Sequence, residues 1–253
     1  MKRSILWIAI ALLLGLVCFC SYRYYDAAIR PERQLDSAEQ AQQEAIAQVR
    51  PPVGTETAPD SSSDPLAACE DYNEDTVGWI TIPDTNIDLP IMQGEDNDFY
   101  LHNGVNGQYN YDLGCPFLDF RCQSDFSGFN SVVYGHNITK RRMFADISLF
   151  SDEAFMNSHP TGTLLLHDGP HTVTFFAYLT VESTSPLYQT VVLTAQDKTD
   201  YLEYLFSKAK HTAGRRTPED FDGSERLLLL STCTYEFEEA RGVLAGVIDW
   251  KSS

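Results

Sequence analysis

Basic side chains are scarce in this sequence. Its 253 residues carry 18 Lys and Arg against 36 Asp and Glu, for a formal net charge of −18. A nucleic-acid partner requires a basic face to neutralise phosphates, so that class is excluded. The balance suits a soluble domain working in the open. A disulfide framework is lacking too. Of the six cysteines, Cys18 and Cys20 fall in an apolar run, and Cys69, Cys115, Cys122 and Cys233 show no repeated spacing. Cys115 and Cys122 would bridge only if a turn brought their Cα atoms within about 7 Å. A chain of this length buries enough core to manage without staples. There is no internal repeat. No Cys or carboxylate pattern accompanies His167 and His171 in the sequence, so no metal and no cofactor is expected.

Long apolar runs are confined to the N-terminus. Residues 1–4 are a basic tip, and residues 5–22 carry no charge and are mostly Leu, Ile, Ala and Val. About 17–25 such residues span a bilayer. Lys2 and Arg3 would stay cytoplasmic, which places the remainder outside the cell membrane. A cleaved signal peptide is the competing reading. No A-x-A pattern follows the run directly, and Ala27-Ala28 is a poor site, which favours an uncleaved anchor. Residues 30–49 then read as a helix with Pro31 in its first turn. Residues 51–65, "PPVGTETAPDSSSDP", have almost no apolar side chains and read as a mobile tether. The expected organisation is a cytoplasmic tip (1–4), an anchor (5–22), a helical stalk and linker (23–65) and one folded domain (66–253).

Within that domain, short strands are expected at 77–82, 88–92, 131–134, 163–167, 172–181, 226–231 and 242–250, with "HDGPH" as a hairpin turn. Helical spacing occurs at Met143, Ile147 and Phe150. It recurs at Tyr201, Leu202, Leu205 and Phe206 behind Thr194, a candidate N-cap. Many strands with few helices predict a mainly β domain, a closed or nearly closed barrel with peripheral helices.

The chemistry concentrates in "RLLLLSTCTYEFEEARGVLAG". The strand through Leu227–Leu230 leaves the sheet at Ser231-Thr232-Cys233, and the next strand begins behind Arg241. A connection this short favours antiparallel pairing. Cys233 and Arg241 therefore face each other on one rim, a thiol beside a permanent cation. Such a cation favours the reactive thiolate and stabilises a developing oxyanion. A proton carrier is also needed, and six histidines are available. His136 in "VVYGHNITKRRMF" follows a strand on a Gly-containing loop, where a strand-end catalytic residue belongs. His167 and His171 flank a turn, and His102, His159 and His211 lie in polar stretches. Glu236, Glu238 and Glu239 read as a solvated face, with Glu236 a lesser candidate for orienting the site. "NIT" at Asn137 matches a glycosylation sequon, but a glycan there would block the cleft.

"LSTCTYEF…AR" resembles the active-site strand and arginine of sortases, the membrane-anchored cysteine transpeptidases of Gram-positive bacteria. "VVYGHN" followed by "MF" is similar to their histidine loop, and "QGEDNDFYL" (93–101) resembles class B members. The resemblance runs from about residue 66 to 250. It implies a sortase-type barrel with Cys233 as nucleophile, His136 as general acid/base and Arg241 as oxyanion or substrate stabiliser. Asn97, Leu101, Thr184, Tyr188 and Ser231 are the implied substrate contacts, and calcium is not implied. The implied substrates are surface proteins with a C-terminal sorting motif similar to N-P-x-T-[NGS], cleaved after Thr. The implied acceptor is an amine of a peptidoglycan precursor or cross-bridge.

Other readings exist. The same residues would serve a thiol hydrolase with water as acceptor, although the C-G-x-C-W and Q-A-C-x-G motifs of papain-like and caspase-like peptidases are absent. A pilin-polymerising sortase would use the same machinery. A membrane-anchored adhesion or scaffolding module would instead carry Cys233 as a small core residue.

Overall fold

The computed structural model describes residues 2–51, 64–190, 194–234 and 239–250. The uncharged run lies within α1 (Lys2–Tyr24), which passes through a π-helical turn at Tyr25–Ile29 into α2 (Arg30–Val49). The apolar window of this continuous helix is long enough to cross a membrane, and none of it is buried against the protein. The α2 segment behaves differently. Its apolar stripe is packed into the main core, with Ile46 1% and Val49 6% exposed. Arg50 pairs with Asp88 at 2.7 Å, and the Cys69 thiol donates to the Val49 carbonyl at 3.1 Å. Composition implied a stalk set apart from a domain beginning at residue 66, whereas α2 is joined to that domain by packing. Most of the expected tether, residues 52–63, lies outside the described residues.

The rest of the chain runs α3 (Ala67–Tyr72), β1 (Thr76–Thr81), β2 (Asp88–Met92), α4 (Phe99–His102), β3 (Phe117–Leu118), β4 (Asn130–Tyr134), β5 (Asn137–Ile138) and β6 (Arg142–Met143). It continues through α5 (Glu153–Ser158), β7 (Thr161–Leu166), β8 (Gly169–Glu182), α6 (Ala195–Lys208), β9 (Ala209–Thr212), β10 (Arg226–Cys233) and β11 (Ala240–Asp249). The sheet order is β11-β10-β4-β3-β2-β1-β7-β8, closed into a barrel by β11–β8 pairing, with β9 added on β8. Closure pairs the outermost strands of the barrel with each other. All the expected strands are present, and "HDGPH" turns β7 into β8 with Leu166 opposite Gly169.

The leucine run has a direct explanation. Leu228 and Leu230 point into the main core with Leu244 and Tyr178. Leu227 and Leu229 face the second core, under Tyr201, Leu202 and Leu205 of α6. A central strand covered on both faces reads as a continuous apolar run instead of alternating. Thr194 caps α6 through a capping box with Asp197, as its position implied.

Two expectations are corrected, and the bridge left open by the sequence is decided. The helix expected across Met143, Ile147 and Phe150 starts later, as a 3-10 turn at Ala145–Ser151, because Met143 belongs to β6 with a φ of 52°. Cys115 and Cys122 are unbridged: the first is buried near the Pro90 carbonyl, and the second points at the Asn130 carbonyl. His167 does have carboxylate company. Its two ring nitrogens face Asp64 at 2.8 Å and Glu70 at 3.7 Å, while His171 bonds Asp168 and stacks on Trp250.

Candidate active site

Three strands bring the predicted residues to one rim. β10 and β11 are antiparallel, with Cys233 directly opposite Arg241. β4 pairs with β10 in parallel, from Leu227 opposite Asn130 to Ser231 opposite Tyr134. The C-terminal ends of β4 and β10 therefore emerge side by side, and the chain leaving β4 at Gly135-His136 arrives beside Ser231-Thr232-Cys233. The Gly135 N–H donates to the Ser231 carbonyl at 3.0 Å, extending the ladder by one step. Glycine is required there because a Cβ would sit 2.6 Å from the Phe144 ring.

Together they line a cleft of about 330 Å³ with Asn97, Leu101, Phe117, Arg121, Tyr134, Ser183, Tyr188 and Thr232. A larger hollow of about 650 Å³ lies between α6 and the 218–224 turn, but it holds none of the predicted residues.

The imidazole is held from two sides. His136 Nε2 lies 2.8 Å from the Leu101 carbonyl oxygen. A carbonyl only accepts, so this bond keeps a proton on Nε2 and leaves Nδ1 as the basic nitrogen of the neutral ring. The Phe144 N–H donates to the His136 carbonyl at 2.9 Å. The neighbouring Asn137 amide donates to the Cys233 carbonyl at 2.8 Å, tying the histidine loop to the cysteine strand. Arg241 is three-quarters buried and is steadied by bonds to the Ala240 carbonyl (3.2 Å) and the Glu239 carboxylate (3.4 Å). Glu236 and Glu238 lie outside the described residues.

The opposite wall rests on an acid that sequence reasoning passed over. Asp119 is fully buried and accepts from Arg121 Nε (2.8 Å) and Nη2 (2.7 Å), Asn97 Nδ2 (2.9 Å) and the Tyr134 hydroxyl (3.0 Å). Burial alone would raise its carboxyl, but the Arg121 guanidinium and the other donors hold it below the usual range. Arg121 also reaches the Tyr188 carbonyl at 3.1 Å, and the Tyr188 hydroxyl meets Ser231 Oγ at 2.9 Å. Burial pushes the Tyr188 phenol up to about 12, so it remains a neutral hydroxyl. Asn97, Leu101, Tyr188 and Ser231 thus line one cleft, with Asn97, Tyr188 and Ser231 joined through Asp119 and Arg121. Thr184 does not line it: it is exposed in the turn after β8, and Ser183 takes the lining position. Asp119 and Arg121 were missed because "FLDFR" carries no strand-length pattern. A lone acid among apolar residues was the available signal.

The other cysteines of the domain lie apart from this cleft. Burial pushes the Cys69 and Cys122 thiols up to about 11, and that of Cys115 further.

No family model matches the chain. Among curated proteins, sortase B of Listeria monocytogenes is 35% identical over 185 residues, spanning 72% of this chain and 73% of the relative. Sortase B of Staphylococcus aureus is 26% identical over 171 residues, 67% of this chain and 68% of the relative. Among solved structures, Clostridium perfringens sortase B superposes with a TM-score of 0.66 at 32% identity, covering 71% of this chain and 97% of that one. Bacillus anthracis sortase B, at 23% identity, shares the fold with a TM-score of 0.72, over 87% of this chain and 99% of that one. A barrel whose rim gathers a cysteine, a histidine and an arginine, and a sequence this close to the Listeria protein along most of both chains, lead to one conclusion: the chain belongs to the class B sortases, which are cysteine transpeptidases.

Proposed function

We propose that this sortase cleaves a sorting motif similar to N-P-x-T-[NGS] after its Thr and transfers the protein to a peptidoglycan amine. The observation that carries this reading is the meeting of Cys233, His136 and Arg241 on one cleft. Cys233 Sγ passes its proton to His136 Nδ1 and attacks the Thr carbonyl carbon, and the C–O double bond opens to an oxyanion that the Arg241 guanidinium stabilises. The tetrahedral species collapses by breaking the scissile C–N bond, while protonated His136 delivers its Nδ1 proton to the leaving amine. The resulting thioester conserves the acyl group's reactivity, so a second amine can attack it, lose its proton to Nδ1 and expel the cysteine sulfur. Asn97, Tyr188 and Ser231 supply polar contacts along the bound strand, with Leu101 acting on His136 through its carbonyl.

We also propose that α1 anchors the enzyme, with Lys2 and Arg3 on the cytoplasmic side. Because α2 is packed on the barrel, the cleft would stand at a set height above the membrane instead of ranging on a tether.

The test is mass spectrometry on the full-length protein with a Thr-containing sorting peptide, with and without an added amine. The expected result is a thioester on Cys233 that an amine diverts from acid to amide, lost in Cys233→Ala and not turned over by His136→Ala. A Cys233→Ala protein that still cleaves, or wild type that yields only acid at saturating native-type amine, would overturn the reading.

A further inference from the structure

We propose that α2 is part of the catalytic apparatus: through Asp36, Glu39 and Gln42 it positions the His136 loop over Cys233. This rests on the reading of His136 as the general acid/base. The β5–β6 hairpin, which follows directly on His136, is strongly basic, with Lys140, Arg141 and Arg142 at its tip. In a chain of net charge −18 such a cluster calls for an acidic seat. α2 provides it. Arg142, whose side chain is 1% exposed, pairs with Asp36 and Glu39, and Lys140 pairs with Asp36 (2.8 Å) and Glu32 (3.1 Å). A buried guanidinium without these carboxylates would be uncompensated, so the hairpin's place depends on the helix.

From that clamp two short routes lead to the reacting groups. On one side, Asn137, opposite Met143 in the hairpin, donates to the Cys233 carbonyl, and Phe144, just beyond β6, donates to the His136 carbonyl. On the other side, buried Gln42 of α2 donates to the Gly114 carbonyl at 3.1 Å and accepts from Asn110 at 2.6 Å. Gly114, at φ +66°, backs directly onto the imidazole, and a Cβ there would come within 3.0 Å of His136 Cδ2. The helix therefore braces the histidine from the hairpin and from behind the ring. Ile46 and Val49 bind α2 to the core independently of these polar contacts, so the clamp can be cut with the helix still docked.

A purely structural role and a positioning role separate in kinetics. The peptide-contacting wall of Asn97, Tyr188 and Ser231 is built on other elements, so loosening the clamp should leave KM alone. The full-length Asp36→Asn/Glu39→Gln protein is assayed for peptide transfer, with kcat expressed per titratable Cys233 thiol. We expect kcat to fall on the order of tenfold, since displacement of a proton carrier by a fraction of an ångström is costly, with KM within about twofold. Asp36→Glu/Glu39→Asp, which keeps both charges, should recover most of the rate. Gln42→Ala cuts the second route, keeps good helix propensity and should show the same split. It carries the test if the double variant fails to fold. Unchanged kcat per active thiol, or a loss that appears only as fewer titratable thiols, would overturn the proposal. Turnover by His136→Ala would instead overturn the reading of the site on which it rests.

Discussion

Asp119→Asn tests the wall of the cleft. The substitution keeps shape and volume but removes the charge that gathers Arg121, Asn97 and Tyr134. Removing one side of a buried ion pair costs about 3–5 kcal/mol when the abandoned charge stays buried. Arg121 has 43% of its side chain exposed and can return to water, whereas Asp119 has none. The lower end, about 3 kcal/mol, is therefore expected, which is roughly 6–12 °C in Tm for a domain of this size. The pH dependence identifies the cause. The Asp119 carboxyl is held below its ordinary value of 3.8 in the folded protein. Its stabilisation is fully present above that value and is lost as pH falls through the lowered folded value. Melts of wild type and variant from pH 7 downward should stay apart by a constant amount until the ordinary carboxylate range is passed, then converge. KM for the sorting peptide should rise at neutral pH, because Asn97 and Tyr134 lose their common anchor. A deficit under about 0.5 kcal/mol, within the range of ordinary surface substitutions, would refute the network's role. So would a deficit unchanged across the acid limb.

Four other outcomes are expected. Arg241→Lys should lose most of its turnover, because a point charge cannot replace the guanidinium's planar donors; rate assays on folded protein check this, and near-normal turnover would make Arg241 structural. Tyr188→Phe removes the hydroxyl bonded to Ser231 and should raise KM several-fold, on the order of 1 kcal/mol, whereas exposed Thr184→Ala should not; equal effects would reverse their assignment. Thiol labelling at neutral pH should be fastest at Cys233 among the cysteines outside α1, since burial disfavours the Cys69, Cys115 and Cys122 thiolates; peptide mapping reads this directly. Leu229→Ala should cost about 2–5 kcal/mol in denaturant melts by opening a cavity under α6, with the wild-type Cys–His–Arg set intact.

Much of this molecule is legible in the sequence because its signals are local. Alternation and turn residues mark the longer strands, Thr194 marks the start of α6, and Pro31 marks α2. The antiparallel facing of Cys233 and Arg241 follows from one short connection. The strands that escaped are β3, β5, β6 and β9, two to four residues each, too short for a period to register. The docking of α2 on the barrel was hidden for a different reason. Its stripe of Leu35, Ala45, Ile46 and Val49 is weak as an apolar pattern although it packs into the core, and the ionic contacts added by Asp36 and Glu39 reach a hairpin about a hundred residues away. Charge complementarity between distant segments leaves no periodic trace.

The placement of His136 depends on the least local feature of all. Nothing in the spacing of "VVYGHN" distinguishes a loop beside Cys233 from one across the barrel, because either end of β4 could have met β10. Antiparallel pairing there would put Tyr134 beside Leu227 and carry the imidazole to the opposite rim. Parallel pairing instead aligns Ser231 with Tyr134 and brings both chain exits to one mouth. The long crossover through β7, β8 and α6 makes that direction possible, since parallel neighbours need such a connection. The same crossover lays α6 over Leu227 and Leu229, which is why the strand carrying the cysteine is apolar on both faces. The leucine run and the catalytic convergence are thus two consequences of a single topological choice. A polar residue at 227 or 229 would weaken the packing that holds β10 in register with β4, and with it the meeting of sulfur and imidazole.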